Sequence, residues 1–175
     1  MLDEIIIHPF GKIDSELLEA VRAAVADRFR VKASIGRALA VPDHAYSSQR
    51  RQYRSTSLLN ELSSLGPDEK RIRLGITAVD LFIPDLNFVF GEASSANRVA
   101  VFSIARLDAG TRAEPASTSP LVRRAITEAT HEIGHVLGLG HCPDPQCVMW
   151  FSNTLPETDR KGSRFCERCA RRFSL

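Results

Sequence analysis

Between Thr130 and Cys142, His131 and His135 stand four residues apart, with Glu132 beside the first of them. On a helix that spacing points both imidazoles the same way, so they can meet one metal ion while the carboxylate of Glu132 reaches a bound water. Gly138 can take a left-handed conformation and end the helix, and the returning chain then brings His141 to the same ion from another direction. Three neutral histidines leave a coordination position open for water, the arrangement of a hydrolytic zinc. Such an ion acidifies its water and polarises a carbonyl, with Glu132 taking the water's proton and later handing it to a leaving amine. A bare His-Glu-x-x-His arises by chance on helices whose histidines are merely solvated or packed. Gly138 and His141 at their offsets are what turn the pentad into a site, and the chemistry expected is amide hydrolysis.

Four cysteines form a second constellation: Cys142 and Cys147, then Cys166 and Cys169. Two pairs read as a closed tetrathiolate zinc, structural because no position is left open. Free thiols or a disulfide are the alternatives, and a reducing compartment favours the metal. Such a site would tie the C-terminal segment down beside His141. The nearby cations Lys161, Arg164, Arg168, Arg171 and Arg172 are expected to offset its negative charge rather than to bind nucleic acid. Met149 follows the ligands closely and reads first as a buried gap-filler.

The elements that must carry these groups are partly visible. Leu2 to His8 suits a buried strand closed by Pro9-Phe10-Gly11. From Asp14, the cap, Leu17, Leu18, Val21, Val25 and Phe29 recur at helical spacing. Val31 to Val41, interrupted by Gly36, is read as a second strand, and Arg54 to Leu65 as a helix stopped by Gly66-Pro67. Arg71 to Ile83, Leu86 to Gly91 and Arg98 to Leu107 read as three more strands, the last two joined by a polar turn over Ser94 to Asn97. Asp108 to Ser119 is a surface loop. Ser119-Pro120 starts the metal-binding helix, which runs to about Gly138 with Val122, Ile126, Ala129, Ile133, Val136 and Leu137 toward the sheet. Little regular structure is expected after His141.

Composition bounds the rest. A chain of 175 residues with 43% hydrophobic and 25% charged residues can bury one core, and a single domain over 1–175 is expected, with 1–138 carrying the sheet and active-site helix and 139–175 a smaller lobe. A net charge of +2 gives no argument for nucleic acid. The first residues have acids where an export signal needs bases, and no apolar run is long enough for a membrane span, so a cytoplasmic protein is expected.

The run from His131 through Cys142, Cys147 and Met149, followed by Ser152-Asn153, Leu155, Glu157, Asp159-Arg160 and Cys166/Cys169, resembles the archaemetzincin family of zinc metallopeptidases. Upstream, Gly75-Ile76-Thr77, Asp80-Leu81, Leu86 to Gly91 and Arg98 to Val101 are also similar to that family, so the likeness spans roughly residues 70 to 170. The resemblance implies an α+β (α/β-like) metzincin-like fold, with a mixed, mostly parallel sheet of four or five twisted strands, covering helices and a zinc-stapled C-terminal lobe. It implies two zinc ions per chain, one catalytic on His131, His135 and His141 and one structural on the four cysteines, with Met149 in the methionine turn beneath the first. It also implies that Phe88, Val89, Phe90 and Gly91 belong to an edge strand against which an extended peptide substrate pairs. The expected partner is a peptide or small protein, and the expected state a monomer. Many metzincins support the oxyanion with a tyrosine beyond the methionine turn, whereas the tyrosines here, Tyr46 and Tyr53, lie far upstream. A metzincin-fold module that binds peptides or a protein with little or no turnover is therefore the competing reading.

Overall fold

The computed structural model describes residues 2–108 and 119–172. In chain order the elements are β1 (Glu4–Phe10), α1 (Ser15–Phe29), β2 (Lys32–Ile35), β3 (Tyr46–Ser47), β4 (Gln52–Arg54), α2 (Ser55–Ser63), β5 (Arg71–Thr77), β6 (Leu81–Phe82), β7 (Gly91–Ser94), β8 (Val99–Ser103), α3 (Pro120–Val136), α4 (Leu155–Arg160) and α5 (Glu167–Ala170). The main sheet runs β2-β1-β5-β8-β7, parallel except where β7 pairs antiparallel to β8, and β3, β4 and β6 form a small second sheet. The mostly parallel, helix-covered sheet expected from the sequence is the one observed.

Alternation along the strands explains the layering. In β8, Ala100 and Phe102 join Ile72, Leu74 and Ile76 of β5 and Ile5 and Ile7 of β1 under α1 and α3, while Val99 and Val101 face Leu58, Leu59 and Leu62 of α2. The stripe of α3 is Val122, Ala125, Ala129, Ile133 and Val136, all buried. Helix α1 starts where Asp14 accepts the amides of Glu16 and Leu17, both at 3.0 Å. At α3, Ser119 occupies the cap position without a side-chain cap bond, and Pro120 supplies the preset first turn.

Several element boundaries differ from expectation, each for a visible reason. The second strand stops at Ile35, because at Gly36 the backbone runs against the His8 ring: a Cβ there would lie 2.5 Å from its Cε1. The long strand from Arg71 ends at Thr77, since Asp80 turns aside to pair with Arg106 at 2.7 Å and to accept from Gln52, leaving Leu81–Phe82 to the second sheet. Leu86 to Phe90 is not a strand. After Pro84 the chain turns, with the Leu86 amide donating to the Ile83 carbonyl, and Arg50 satisfies the carbonyls of Pro84 and Leu86 that a neighbouring strand would otherwise take. The edge strand is Gly91–Ser94 instead, so the turn toward β8 falls after Ser94.

Residues 139–172 hold two short helices that the sequence reading did not place. Thr154 accepts the Glu157 amide and Glu157 accepts the Asn153 amide, a reciprocal cap that starts α4. This segment is fixed to α3 by Arg124, which forms two 2.7 Å bonds to Asp159. Residues 109–118 of the expected surface loop lie outside the described residues. Among the described residues, no helix is long and apolar enough to cross a membrane.

Candidate metal centre and active site

His131 and His135 project from the last two turns of α3 into a cleft of about 420 Å³ between that helix, the β7 edge and the C-terminal segment. Gly138, at φ +86°, reverses the chain after the helix and delivers His141 to the same place. Ligand atoms of the three histidines all lie within 4.8 Å of one another. The Nδ1 of His131 faces the Val148 carbonyl at 2.7 Å, and that of His135 faces the Leu139 carbonyl at 2.8 Å. Carbonyl oxygens only accept, so both Nδ1 atoms carry the proton and both Nε2 atoms present bare lone pairs. Those two Nε2 atoms are 3.0 Å apart. Two unprotonated acceptors that close repel, and a cation ligated by both relieves the repulsion, so the donor set fits a metal ion. Burial is the leading cause that pushes all three imidazoles below their ordinary range, His131 furthest, which keeps them neutral as ligands must be.

Glu132 is buried beside His131 and lines the cleft. Its carboxyl is raised well above the usual range, first by burial, then by the nearby carboxylates of Glu128 and Glu92, against the pull of Lys161. The carboxylate lies against the backbone of the edge strand: a Cβ on Gly91 would stand 2.5 Å from Glu132 Oε1. Glycine at 91 is therefore a requirement of close approach. Glu92 is anchored from α2, accepting from the hydroxyls of Ser55 and Thr56. Phe88, Val89, Phe90 and Gly91 all line the cleft, but only Gly91 does so from a strand. Phe88 and Phe90 pack edge to face at 5.2 Å on the rim.

Met149 is fully buried beneath α3, where a Cβ on Gly134 would lie 2.5 Å from its sulfur. Its carbonyl accepts the Cys142 amide at 2.9 Å, so the methionine turn joins the start of the cysteine cluster to the floor of the histidine site. Cys142, Cys147, Cys166 and Cys169 are free thiols whose sulfurs all lie within 4.8 Å of one another. Donors are aimed at them: Arg168 at Cys142 Sγ and the Cys166 amide at Cys147 Sγ, each at 3.4 Å. Burial resists ionisation of Cys142, but bonds from the Asp144 amide and Arg168 outweigh it and hold the thiol below its ordinary range. This sulfur cluster, too, fits a metal ion.

Sequence reasoning missed three groups in the cleft. Phe151 packs against His141 with ring centres 4.9 Å apart, an apolar ring beside the third histidine. Glu128 sits one turn before Glu132, a spacing that could have revealed it. Lys161, expected to offset the charge of the cysteine site, is instead buried in an ion pair with Glu128 at 2.9 Å. Nothing local in the sequence marks that contact, which joins residues 33 positions apart (161 − 128).

Known proteins resemble the chain along most of its length. The profile of the family described as peptidase family M54 matches residues 3–174. The chain is 47% identical to an archaemetzincin of Methanopyrus kandleri over 74% of its length and 70% of the relative's. It is 39% identical to an archaemetzincin of Pyrococcus furiosus over 99% of its length and 93% of the relative's. The crystal structure of an archaemetzincin from Archaeoglobus fulgidus, complexed with malonate, superposes with a TM-score of 0.84 at 36% identity, covering 97% of this chain and 99% of that one. The chain is a member of peptidase family M54, the archaemetzincin zinc metallopeptidases.

Proposed function

We propose that the protein hydrolyses peptide bonds in extended peptides or small proteins, with His131, His135 and His141 holding one zinc ion and Glu132 moving the proton. The observation that carries this reading is the convergence of bare imidazole nitrogens, their other nitrogens tied to backbone carbonyls, beside the buried carboxylate of Glu132. When bound, the zinc supplies Lewis-acid polarisation of the carbonyl and acidification of water. Glu132 accepts the proton of the attacking water and releases it to the amine as the carbon–nitrogen bond breaks. Packing against Gly91 holds its carboxylate at the cleft wall, where it can take up and release that proton.

Strand β7 is the last strand of the sheet and pairs with β8 along one side. Its outer side suits a substrate added as a further antiparallel strand, with Phe88, Val89, Phe90 and Gly91 forming the adjoining rim. The cysteines hold the second, structural zinc and tie the smaller C-terminal lobe to the catalytic unit, so that the chain works as one domain. The free thiols suit a reducing cytoplasm, and the cleft needs no second subunit, which supports a monomer. Metal analysis with a peptide-library digest tests the reading. Two zinc ions per chain and cleavage abolished in Glu132→Ala are expected. Undiminished cleavage by Glu132→Ala would remove the mechanism, and no cleavage by either protein would leave the peptide-binding module in its place.

A further inference from the structure

We propose that Lys161 is the group that stabilises the oxygen of the scissile carbonyl as it becomes anionic, a role that rests on the peptidase reading above. Among the described residues lining the cleft, Lys161 is the single lysine or arginine. Its side chain is 1% exposed and shares the cleft wall with Glu128, His131 and Glu132. The ammonium has three donors, and the described contacts give it one partner, Glu128 at 2.9 Å, whose side chain is 2% exposed. The remaining donors belong to a charge kept from bulk water on the wall of the cleft, where its field is weakly screened.

Two alternatives are weaker. A phenol cannot serve, because Tyr46 and Tyr53 pack on each other at 5.0 Å in the second sheet, and the ring next to His141 is Phe151. A purely structural clamp is a poor explanation of the pair, since burying two charges costs desolvation that an apolar pair of similar size avoids. The bidentate Arg124–Asp159 pair already fixes α4 to α3 close by. Glu128 keeps the ammonium in place and balances its charge when no substrate is present.

In the step itself the water oxygen bonds to the carbonyl carbon, the carbonyl π pair moves onto its oxygen, and Glu132 takes the water's proton. Lys161 stays protonated and donates a hydrogen bond to that oxygen. On collapse the pair returns, the carbon–nitrogen bond breaks, and the nitrogen receives the proton from Glu132.

The test compares two ligands of one peptide sequence by calorimetry on zinc-loaded protein of verified metal content. One is a phosphinic peptide, tetrahedral and anionic at the reacting centre, and the other is the ordinary amide, measured in a Glu132→Gln background to prevent turnover. Lys161→Met is expected to weaken phosphinic binding by at least about tenfold while amide binding stays within about twofold. Equal loss for both ligands, or no loss, overturns the proposal in favour of a structural lysine. Both peptides are also run with free and amidated C-termini, and a loss confined to the free acids overturns it in favour of a terminal-carboxylate site. If Lys161→Met does not fold, Lys161→Arg is substituted. Its displaced charge should still weaken phosphinic binding selectively, by about threefold or more, and an unchanged ratio overturns the proposal. Wild-type protein with no preference for the phosphinic form would overturn the peptidase reading itself, a result separable from failure of Lys161 alone.

Discussion

The His131 ring is aimed by Val148: its Nδ1–H donates 2.7 Å to that residue's main-chain carbonyl, 17 positions further along the chain. The orientation of a proposed metal ligand on α3 therefore depends on the turn that carries Met149. That turn is in turn held by the Val148 amide on the Arg164 carbonyl and by the Cys142 amide on the Met149 carbonyl, each at 2.9 Å. The two proposed metal sites thus share one piece of backbone.

Because of this coupling, Cys166→Ser is expected to loosen the catalytic ion as well as the structural one. Removing one thiolate should lower the melting temperature and raise the rate at which a chelator strips zinc from the histidines by about tenfold. Stopped-flow measurement with a chromogenic chelator separates the two ions. A histidine-site release rate equal to wild type would break the proposed link.

Gly134→Ala should destabilise the fold even though alanine is the better helix former. Propensity favours alanine by about 1 kcal/mol, whereas overpacking a fully buried site typically costs about 1–3 kcal/mol, and the buried Met149 side chain must shift to admit the methyl. Urea denaturation should show a net loss, relieved when Met149 is shortened in the double variant. Gly140→Ala, with nothing within 4 Å of its Cβ, serves as the near-neutral control.

Gly91→Ala should spare stability more than activity. The added methyl meets Glu132 Oε1 at 2.5 Å and the Val101 carbonyl at 2.7 Å, so either the carboxylate or the edge strand must move. Displacements of about 1 Å at a reacting group cost on the order of a hundredfold in rate, and kcat is expected to fall by about 10- to 100-fold. Wild-type kcat in a folded variant would show that Glu132 need not stay where it is.

Arg124→Ala should cost about 1–3 kcal/mol by urea unfolding, because it strands the buried Leu107 carbonyl, bonded at 2.8 Å, and removes the two bonds that tie Asp159 to α3. The exposed Arg22–Glu19 pair gives the contrast. Arg22→Ala should leave the unfolding midpoint close to that of the wild type. Similar losses for the two would contradict the burial argument.

His8 should make the fold acid-sensitive independently of any metal. Its Nδ1 donates to the Arg37 carbonyl at 3.0 Å while its Nε2 is buried without a partner among the described residues. Burial first, then the Arg73 and Arg37 charges, lower its pKa below the ordinary 6.5. A group depressed in the folded state contributes its stability fully above the unfolded value. That contribution is lost as pH falls from about 6.5 through the folded value, at a slope of up to about 1.4 kcal/mol per pH unit. Zinc-loaded wild type should therefore lose stability faster than His8→Leu between pH 7 and pH 5, and parallel curves would rule out this origin.

What the sequence by itself determined was whatever depends on short-range spacing. His131 and His135 share a face because a helix repeats every 3.6 residues, Gly138 and Pro120 bound that helix through their own backbone limits, and the apolar runs of β1, β5 and β8 mark buried strands. The paired cysteines were legible for the same reason. The reciprocal cap at Thr154 and Glu157 was legible too and was overlooked. Tertiary structure alone decided the contacts between distant segments: Arg50 bending the chain at Pro84 and Leu86 so that the edge strand begins at Gly91, Val148 aiming His131, and Lys161 turning inward to Glu128. A lysine's sequence neighbours do not show whether its charge meets water or a buried carboxylate. That outcome depends on desolvation and a partner 33 positions away (161 − 128), which exist only once α4 has packed against α3.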